Sequence, residues 1–244
     1  MRNIKLTIEY DGTNYHGWQI QDNAITVQQV IQEAVSKLTG EKCELIGSSR
    51  TDVGVHALGM AANFKTCSTI PGDRFSFALN NLLPNDIVIK KSEEVSPDFH
   101  ARFSCTGKKY RYLIYNSPTP SALLRNRAFY VPKALCVEDM RKAAEYFLGE
   151  HDFSAFAAAG GSTKTFVRKI SSVSLDKRDD CIQFEITGNG FLYNMVRIIA
   201  GTLVDVGMGK ISPDAIPKII ESGNRKMAGR TAPAHGLYLV EVYY

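Results

Sequence analysis

The sequence has few cysteines, and no two of them stand at a metal-binding spacing. Five cysteines, an odd number, are scattered over 244 residues without a C-x-x-C pair. This distribution argues against a disulfide framework and against a zinc site, and it is typical of proteins in the reducing cytosol. We therefore expect a cytoplasmic protein that contains no metal.

Long hydrophobic runs are also missing. The most apolar stretch, 191–206, is interrupted by Asn194, Arg197 and Asp205, so we expect no membrane span. The N-terminus enters an alternating strand pattern at once, so we expect no signal peptide. The chain lacks a glycine-rich phosphate loop and a Gly-x-Ser-x-Gly motif, and no histidine pair has the helical i, i+4 spacing of metal ligands. These absences argue against a membrane protein, a P-loop nucleotide-binding protein and a serine hydrolase.

Acidic residues are absent from two segments. The segment 99–137 contains seven lysines and arginines and no acid, and 222–240 carries only Arg225, Lys226 and Arg230. Segregated positive charge attracts polyphosphates, because each neutralised phosphate releases condensed counterions. A solvated basic face without a partner explains such a charge run equally well. The seven cations of the first segment are Arg102, Lys108, Lys109, Arg111, Arg125, Arg127 and Lys133.

The sequence does contain many short strand and helix patterns. Apolar residues alternate from Ile4 to Tyr10, which predicts a half-buried strand. Thr26 and Gln29 form a capping box that begins a helix, and Gly40 ends it. Strand patterns outnumber those of a βαβαβ repeat, so we predict an α+β fold with largely antiparallel sheets. Further strands are expected at 43–46, 59–64, 87–91, 110–114, 169–175, 182–187 and 237–242, and further helices near 73–82, 138–148, 192–206 and 212–222.

The second part of the pattern loosely repeats the first. We predict an N-terminal α+β half over 1–106 and a C-terminal α+β half over 107–244, with the segment 117–121 (SPTPS) as a crossover linker. Two similar halves would leave a cleft between them, and binding pockets favour such junctions.

The strongest candidate for chemistry lies in the stretch 47–57. Asp52 stands two residues after Arg50 and two before Gly54, in a segment that we expect to be an irregular loop held by a scaffold. Spacing alone favours an aspartate that merely caps a turn. Arg197, inside an apolar helix pattern, requires a carboxylate partner if it is buried, and Asp52 is a candidate. An ionised, oriented carboxylate can act as a nucleophile or a base.

Tyrosines alternate with cations in the first acid-free segment. Tyr110, Tyr112 and Tyr115 stand among Lys108, Lys109 and Arg111. Aromatic rings beside cations can stack bases while the cations contact phosphates. A place in the core of a strand explains two of the three tyrosines at least as well.

Seven short blocks match one known family in the same order. They are 10–19 YDGTNYHGWQ, 50–57 RTDVGVHA, 99–102 FHAR, 109–112 KYRY, 149–153 GEHDF, 190–197 GFLYNMVR and 231–239 TAPAHGLYL. On these blocks, which run over almost the whole chain, the sequence resembles the TruA family of tRNA pseudouridine synthases. Seven blocks in the same order are a poor match for chance. Because one of them contains Asp52, the resemblance argues against the interpretation of Asp52 as a mere turn residue.

The resemblance implies an isomerase that converts uridine to pseudouridine at positions 38, 39 and 40 of the tRNA anticodon stem-loop. It implies two similar α+β halves around a basic cleft, a homodimer, and no cofactor or metal. Asp52 is implied as the catalytic residue, with Arg197 paired to it. Tyr110 is implied to pack against the target base, and Arg50 to displace the target nucleotide from its stack. Residues expected to contact RNA are Arg102, Lys108, Lys109, Arg111 and Arg168.

Three positions depart from the usual family pattern. Ser48 and Ser49 stand where the family has Ala-Gly, and Met60 stands where it has Gln. A synthase with other or broader RNA targets therefore stays open, and so does a non-catalytic RNA-binding module, although the intact Asp52 argues against the latter. The sequence also leaves open whether Asp52 attacks C1′ as a nucleophile or removes a ribose proton to give a glycal.

Overall fold

The computed structural model describes residues 1–161 and 163–244. The strands are β1 (Arg2–Tyr10), β2 (Ile46–Gly47), β3 (His56–Thr66), β4 (Ile87–Val95), β5 (Gly107–Asn116), β6 (Phe129–Val131), β7 (Gly149–Asp152), β8 (Val167–Arg178), β9 (Cys181–Gly188) and β10 (Leu237–Tyr243). The α-helices are α1 (Val27–Thr39), α2 (Phe75–Asn80), α3 (Val137–Glu145), α4 (Met195–Gly207) and α5 (Ile216–Ser222). Most strand pairs are antiparallel, and the predicted α+β class is confirmed.

The described residues form two compact units. One comprises Met1–Thr106 together with Tyr238–Tyr244, and the other comprises Gly107–Leu237. The structure thus groups the last strand with the first unit, whereas the sequence pattern assigned it to the C-terminal half. The division into halves at 1–106 and 107–244 stays a prediction.

The first unit is built around β1, which pairs antiparallel with β3 on one side and β4 on the other. Ile4, Leu6 and Ile8 are fully buried on β1, as their alternation predicts. The second edge of β3 pairs antiparallel with β2 and, near His56, parallel with β10. Strand β3 therefore carries the end of the 48–55 loop directly into the sheet.

Helix boundaries follow local chemistry. The Thr26 hydroxyl accepts a hydrogen bond from the Gln29 amide at 3.4 Å, and Gly40 ends α1 with a φ of 72°, both as predicted. Helix α3 ends at Glu145, earlier than the predicted 148. The next strand, β7, begins at Gly149, which has a φ of 102°.

The segment 43–45 is not a strand, contrary to the prediction. Its backbone groups are bound by side chains of α1: the Leu45 amide donates to Gln32 at 3.0 Å, and Gln28 donates to the Leu45 carbonyl at 2.8 Å. Backbone groups satisfied in this way are not available to a strand ladder. Strand β2 is accordingly limited to Ile46–Gly47.

The second unit contains the antiparallel path β5–β9–β8–β7, with β6 parallel to β5. Strands β8 and β9, both expected from the sequence, form an antiparallel hairpin, and Asp179, with a φ of 52°, lies in the turn between them. The segment 117–121 lies within this unit, between β5 and β6, so it does not link the units. There the Tyr130 hydroxyl donates to the Pro118 carbonyl at 2.9 Å.

Among residues 1–161 and 163–244, no helix combines the length and the apolar character needed to cross a membrane. The five cysteines are free thiols. In the same described ranges, no group of three or more His, Cys, Asp or Glu side chains could hold a metal ion.

Candidate active site

The stretch between β2 and β3 forms an irregular loop in the first unit, as predicted. The Asp52 carbonyl accepts a hydrogen bond from the Val55 amide at 3.1 Å, which closes a turn where Gly54 has a φ of 75°. Gly54 suits this left-handed conformation because it has no Cβ. The turn leaves Asp52 half-buried and Arg50 exposed. Both charged side chains are therefore presented at the surface of this unit.

Buried residues of the block 10–18 hold Thr51, the residue before Asp52. The Trp18 amide donates to the Thr51 carbonyl at 3.1 Å, and the Tyr10 hydroxyl lies 2.7 Å from Thr51 Oγ1. Tyr10 and Trp18 are only 3% and 2% exposed. Because Thr51 is bound through both its backbone and its side chain, the backbone that carries Asp52 is fixed from beneath.

Two glycines allow this close approach. Gly17 has a φ of 81°, and a Cβ at this position would lie 2.5 Å from the Thr51 carbonyl oxygen. A Cβ at Gly12 would overlap the Val55 carbonyl oxygen. Neither position accepts a side chain unless the loop backbone moves. Sequence reasoning used this block only for the resemblance and missed its structural role. The available signal was the pair of glycines, Gly12 and Gly17, two and seven residues after the end of β1 at Tyr10.

Replacing Tyr10 with phenylalanine is expected to lower the free energy of unfolding by about 1–2 kcal/mol, because Thr51 Oγ1 loses a buried hydroxyl partner. Thr51→Val should cost a similar amount, and the double variant should cost less than the sum of the two. Urea unfolding of the two single variants and the double variant measures these free energies. Tyr130→Phe, which removes an exposed hydroxyl contact, is the control and should cost under about 0.5 kcal/mol. Additive losses in the double variant would contradict the coupling.

His56 follows the loop and is buried at the start of β3. Its Nδ1 accepts a hydrogen bond from the Gly12 amide at 3.0 Å, and its ring stacks on Tyr238 with centroids 4.7 Å apart. These contacts tie the end of the loop to the same N-terminal block and to β10. His56 is therefore a structural residue that supports the loop.

Arg197 lies on α4 in the second unit and is half-buried. Its Nε donates to the Ala232 carbonyl at 2.9 Å, and its Nη1 donates to Asn194 Oδ1 at 2.8 Å. The Ala232 amide donates in turn to the Arg197 carbonyl at 3.0 Å. The sequence blocks 190–197 and 231–239 thus meet at this guanidinium, which is oriented by two acceptors.

Tyr110 lies on β5, on the same face as Tyr112, and is nearly buried. Its ring packs edge-to-face on Phe191 with centroids 5.1 Å apart. Tyr112 is fully buried and donates to the Pro233 carbonyl at 2.7 Å. Burial raises the pKa of Tyr112 far above its usual value, and the charge of Arg197 offsets this only in part. Tyr112 is thus a neutral hydrogen-bond donor inside the unit.

Two of the cations expected to contact RNA are engaged with an acid. Lys109 Nζ lies 2.5 Å and Arg111 Nη2 lies 2.9 Å from the carboxylate of Glu185, which stands opposite Arg111 on β9. Burial acts to raise the pKa of Glu185, but the hydrogen bonds and charges of Lys109 and Arg111 hold it below its ordinary value. The three side chains together carry one net positive charge rather than two.

The other expected RNA contacts differ in exposure. Arg102 is exposed in the first unit, and Lys108 is half-buried on β5. The Arg168 guanidinium donates to the Thr165 and Val167 carbonyls, and burial lowers its pKa. Arg168 is thus held by its own chain segment.

The structure places the predicted site residues in both units. Asp52, Arg50 and Arg102 belong to the first unit, and Tyr110 and Arg197 belong to the second, as do the remaining cations. The roles of these residues, the pairing of Asp52 with Arg197 and their assembly into one site stay predictions.

The residues that depart from the family pattern are buried, two at the start of the 48–55 loop and one on β3. Ser48 and Met60 are buried, and Ser48 Oγ donates to Met60 Sδ at 3.4 Å. Ser49 is 9% exposed. Two of the three departures therefore contact each other, and neither side chain is exposed for direct contact with RNA.

Comparison with known proteins gives consistent results. A family model described as tRNA pseudouridine synthase matches residues 6–104 and 143–244. Relatives named tRNA pseudouridine synthase A occur in Acetivibrio thermocellus, with 67% identity over 244 residues, in Ruminiclostridium cellulolyticum, with 64% over 245, and in Caldicellulosiruptor bescii, with 57% over 244. Each similarity covers 100% of this chain and 100% of the relative.

Proposed function

The chain belongs to the tRNA pseudouridine synthase family, and we propose that it isomerises uridine to pseudouridine at positions 38, 39 and 40 of the tRNA anticodon stem-loop. The observation that carries this proposal is the half-buried Asp52 on a loop whose neighbour, Thr51, is held through backbone and side chain. A carboxylate held in position by a rigid support can attack a ribose carbon or remove a ribose proton.

The reaction is an isomerisation without net oxidation. The C1′–N1 bond breaks, the uracil turns, and a C1′–C5 bond forms, while C5 loses a proton and N1 gains one. No electron acceptor or donor is needed. Asp52 serves this reaction in its ionised form, either by attacking C1′ or by removing a ribose proton.

The target base must leave its stack before it reaches Asp52. Extrusion of a base costs a few kcal/mol, and stacking and phosphate contacts offset that cost. Arg50 is exposed two residues before Asp52, which suits a side chain that takes the place of the displaced nucleotide. Tyr110 offers an aromatic ring to the extruded base, and Arg197 offers an oriented guanidinium to the aspartate.

The proposal is tested by mapping pseudouridine in a tRNA pool after incubation with the protein. New pseudouridine is expected at positions 38, 39 and 40. Modification elsewhere in the pool would instead establish a synthase with other or broader targets. Tight tRNA binding without any new pseudouridine would establish a non-catalytic RNA-binding module.

Replacing Glu185 with glutamine is expected to strengthen tRNA binding about threefold to tenfold at low salt. The change leaves Lys109 and Arg111 unneutralised, so about one more phosphate contact should appear, and the slope of log K against log salt should steepen by about 0.9. Binding titrations at several salt concentrations measure both quantities.

Asp176→Asn is the matched control, because it removes an exposed acid from the neighbouring strand β8, and we expect a change below about twofold. Unchanged or weaker binding by Glu185→Gln would contradict the assignment of Lys109 and Arg111 to phosphate contacts.

We further infer that the protein is a cytoplasmic homodimer, because the substrate is tRNA and the family to which the sequence is similar acts as a homodimer. Light scattering of the purified protein with and without tRNA measures the number of subunits. A monomeric mass in both conditions would contradict the dimer.

A further inference from the structure

Outside the Asp52 loop, an aromatic side chain stands exposed at the tip of the loop 99–104. Phe103 is 75% exposed, and it follows the exposed Arg102 at the start of the acid-free segment 99–137. A single exposed apolar residue requires no explanation by itself. What distinguishes Phe103 is the structure that holds it.

The base of this loop is fixed by two buried asparagines. Asn3 donates to the Phe99 carbonyl at 2.8 Å, and Asn63 donates to Asn3 at 2.9 Å. The Ala101 amide donates to Asn63 at 2.8 Å, and the Tyr244 hydroxyl donates to the Ala101 carbonyl at 2.9 Å. The loop is therefore anchored to β1, β3 and the last residue of the chain.

The tip of the loop is organised by His100. Its Nδ1 accepts hydrogen bonds from the amides of Arg102 and Phe103, each at 3.2 Å, and its carbonyl accepts one from Ser104 at 2.9 Å. The His100 ring packs on Phe103 with centroids 4.3 Å apart. The Arg102 guanidinium carbon lies 5.6 Å from the centre of the Phe103 ring. The exposed ring is thus held in place before any ligand arrives.

These features match the chemistry of an unpaired nucleobase. A base stacks on an aromatic ring, a nearby arginine adds a cationic contact, and a preorganised ring loses little freedom on binding. The absence of acids from 99–137 favours a polyanion over a protein partner. We propose that Phe103, with His100 and Arg102, forms a stacking platform for an unpaired base of the RNA substrate, other than the uridine that is isomerised. This inference rests on the proposed function.

The test compares two exposed phenylalanines. Phe77 on α2 is 66% exposed and also has an arginine, Arg74, at 5.6 Å from its ring centre, but Asp73 lies beside that arginine. Phe103→Ala is expected to weaken binding of an anticodon stem-loop RNA about fivefold to hundredfold, the loss that one base stack produces. Phe103→Tyr should bind within about twofold of wild type, and Phe77→Ala likewise.

Two further measurements are specific for stacking. A blunt RNA duplex without unpaired bases should bind Phe103→Ala and wild type alike. Since the chain has one tryptophan, the buried Trp18, a Phe103→Trp variant adds an exposed fluorophore. We expect the stem-loop RNA to quench its emission and the emission of a Phe77→Trp variant to stay unchanged.

If Phe103→Ala and wild type bound the stem-loop RNA with equal affinity, the platform would be overturned. It would also be overturned if Phe103→Ala lost as much affinity for the blunt duplex as for the stem-loop. A change of molar mass in Phe103→Ala, measured by light scattering, would instead identify an interface between proteins and would also overturn it. These binding measurements need no turnover. If RNA quenches the Phe103→Trp variant as expected but the wild type forms no pseudouridine, only the proposed function would be contradicted.

Discussion

Replacing Asp52 with asparagine is expected to lower the rate of pseudouridine formation at least about a thousandfold, while tRNA binding stays within about threefold of wild type. An amide neither attacks C1′ nor accepts a ribose proton. Asparagine suits turns as well as aspartate does, so the turn that joins the Asp52 carbonyl to the Val55 amide should persist. Tritium release from 5-tritiated uridine in tRNA measures turnover, and filter binding measures affinity.

This substitution separates the two interpretations of Asp52 that the sequence offered. If the aspartate only caps a turn, asparagine replaces it and activity survives. Asp22→Asn, which neutralises an exposed carboxylate in the same unit, is the control and should retain full activity. A fully active Asp52→Asn enzyme would refute the catalytic assignment.

The parts of the fold that follow from short-range patterns were predictable. Alternating apolar residues located β1, and the chemistry of Thr26 and Gly40 located both ends of α1. The 48–55 loop was also expected, because its residues interrupt two strand patterns. In each case the information lies within a few residues of the element itself.

The errors arise where distant side chains decide the local structure. The segment 43–45 has a strand-like composition, but Gln28 and Gln32 on α1 bind its backbone. The proline-containing segment 117–121 has the composition of a linker, yet it lies inside one unit, because the strands on either side of it, β5 and β6, pair with each other. No local pattern reports such partners.

The same limit applies to the candidate site. Asp52 was found from its own neighbours, whereas Tyr10 holds the adjacent Thr51 from a position 41 residues earlier in the chain than Thr51. Lys109 and Arg111 look like free cations in the sequence, but Glu185 on the neighbouring strand β9, 74 residues from Arg111, neutralises one of their charges. Partners separated by this distance are brought together only by the strand register, which the sequence patterns did not specify.

Replacing Arg197 with alanine is expected to lower turnover about a hundredfold or more and to lower the free energy of unfolding by about 2–4 kcal/mol. Stability falls because the Ala232 carbonyl and the Asn194 side chain each lose a charged donor. Turnover falls because the proposed partner of Asp52 is lost and a carboxylate is left without its counter-charge. Tritium release and urea unfolding measure the two effects.

A matched arginine separates these two effects. Arg225 is also half-buried in the second unit and donates to the Gly229 carbonyl at 2.9 Å and to Thr231 Oγ1 at 3.1 Å. Arg225→Ala should therefore destabilise the protein comparably but leave the turnover of the folded enzyme nearly unchanged. Arg197→Lys keeps the positive charge but lacks the planar guanidinium group with its several N–H donors, so its turnover should lie between those of wild type and Arg197→Ala. Equal turnover losses in the alanine variants of both arginines would show that Arg197 acts through stability alone, and the proposed pairing with Asp52 would then be wrong.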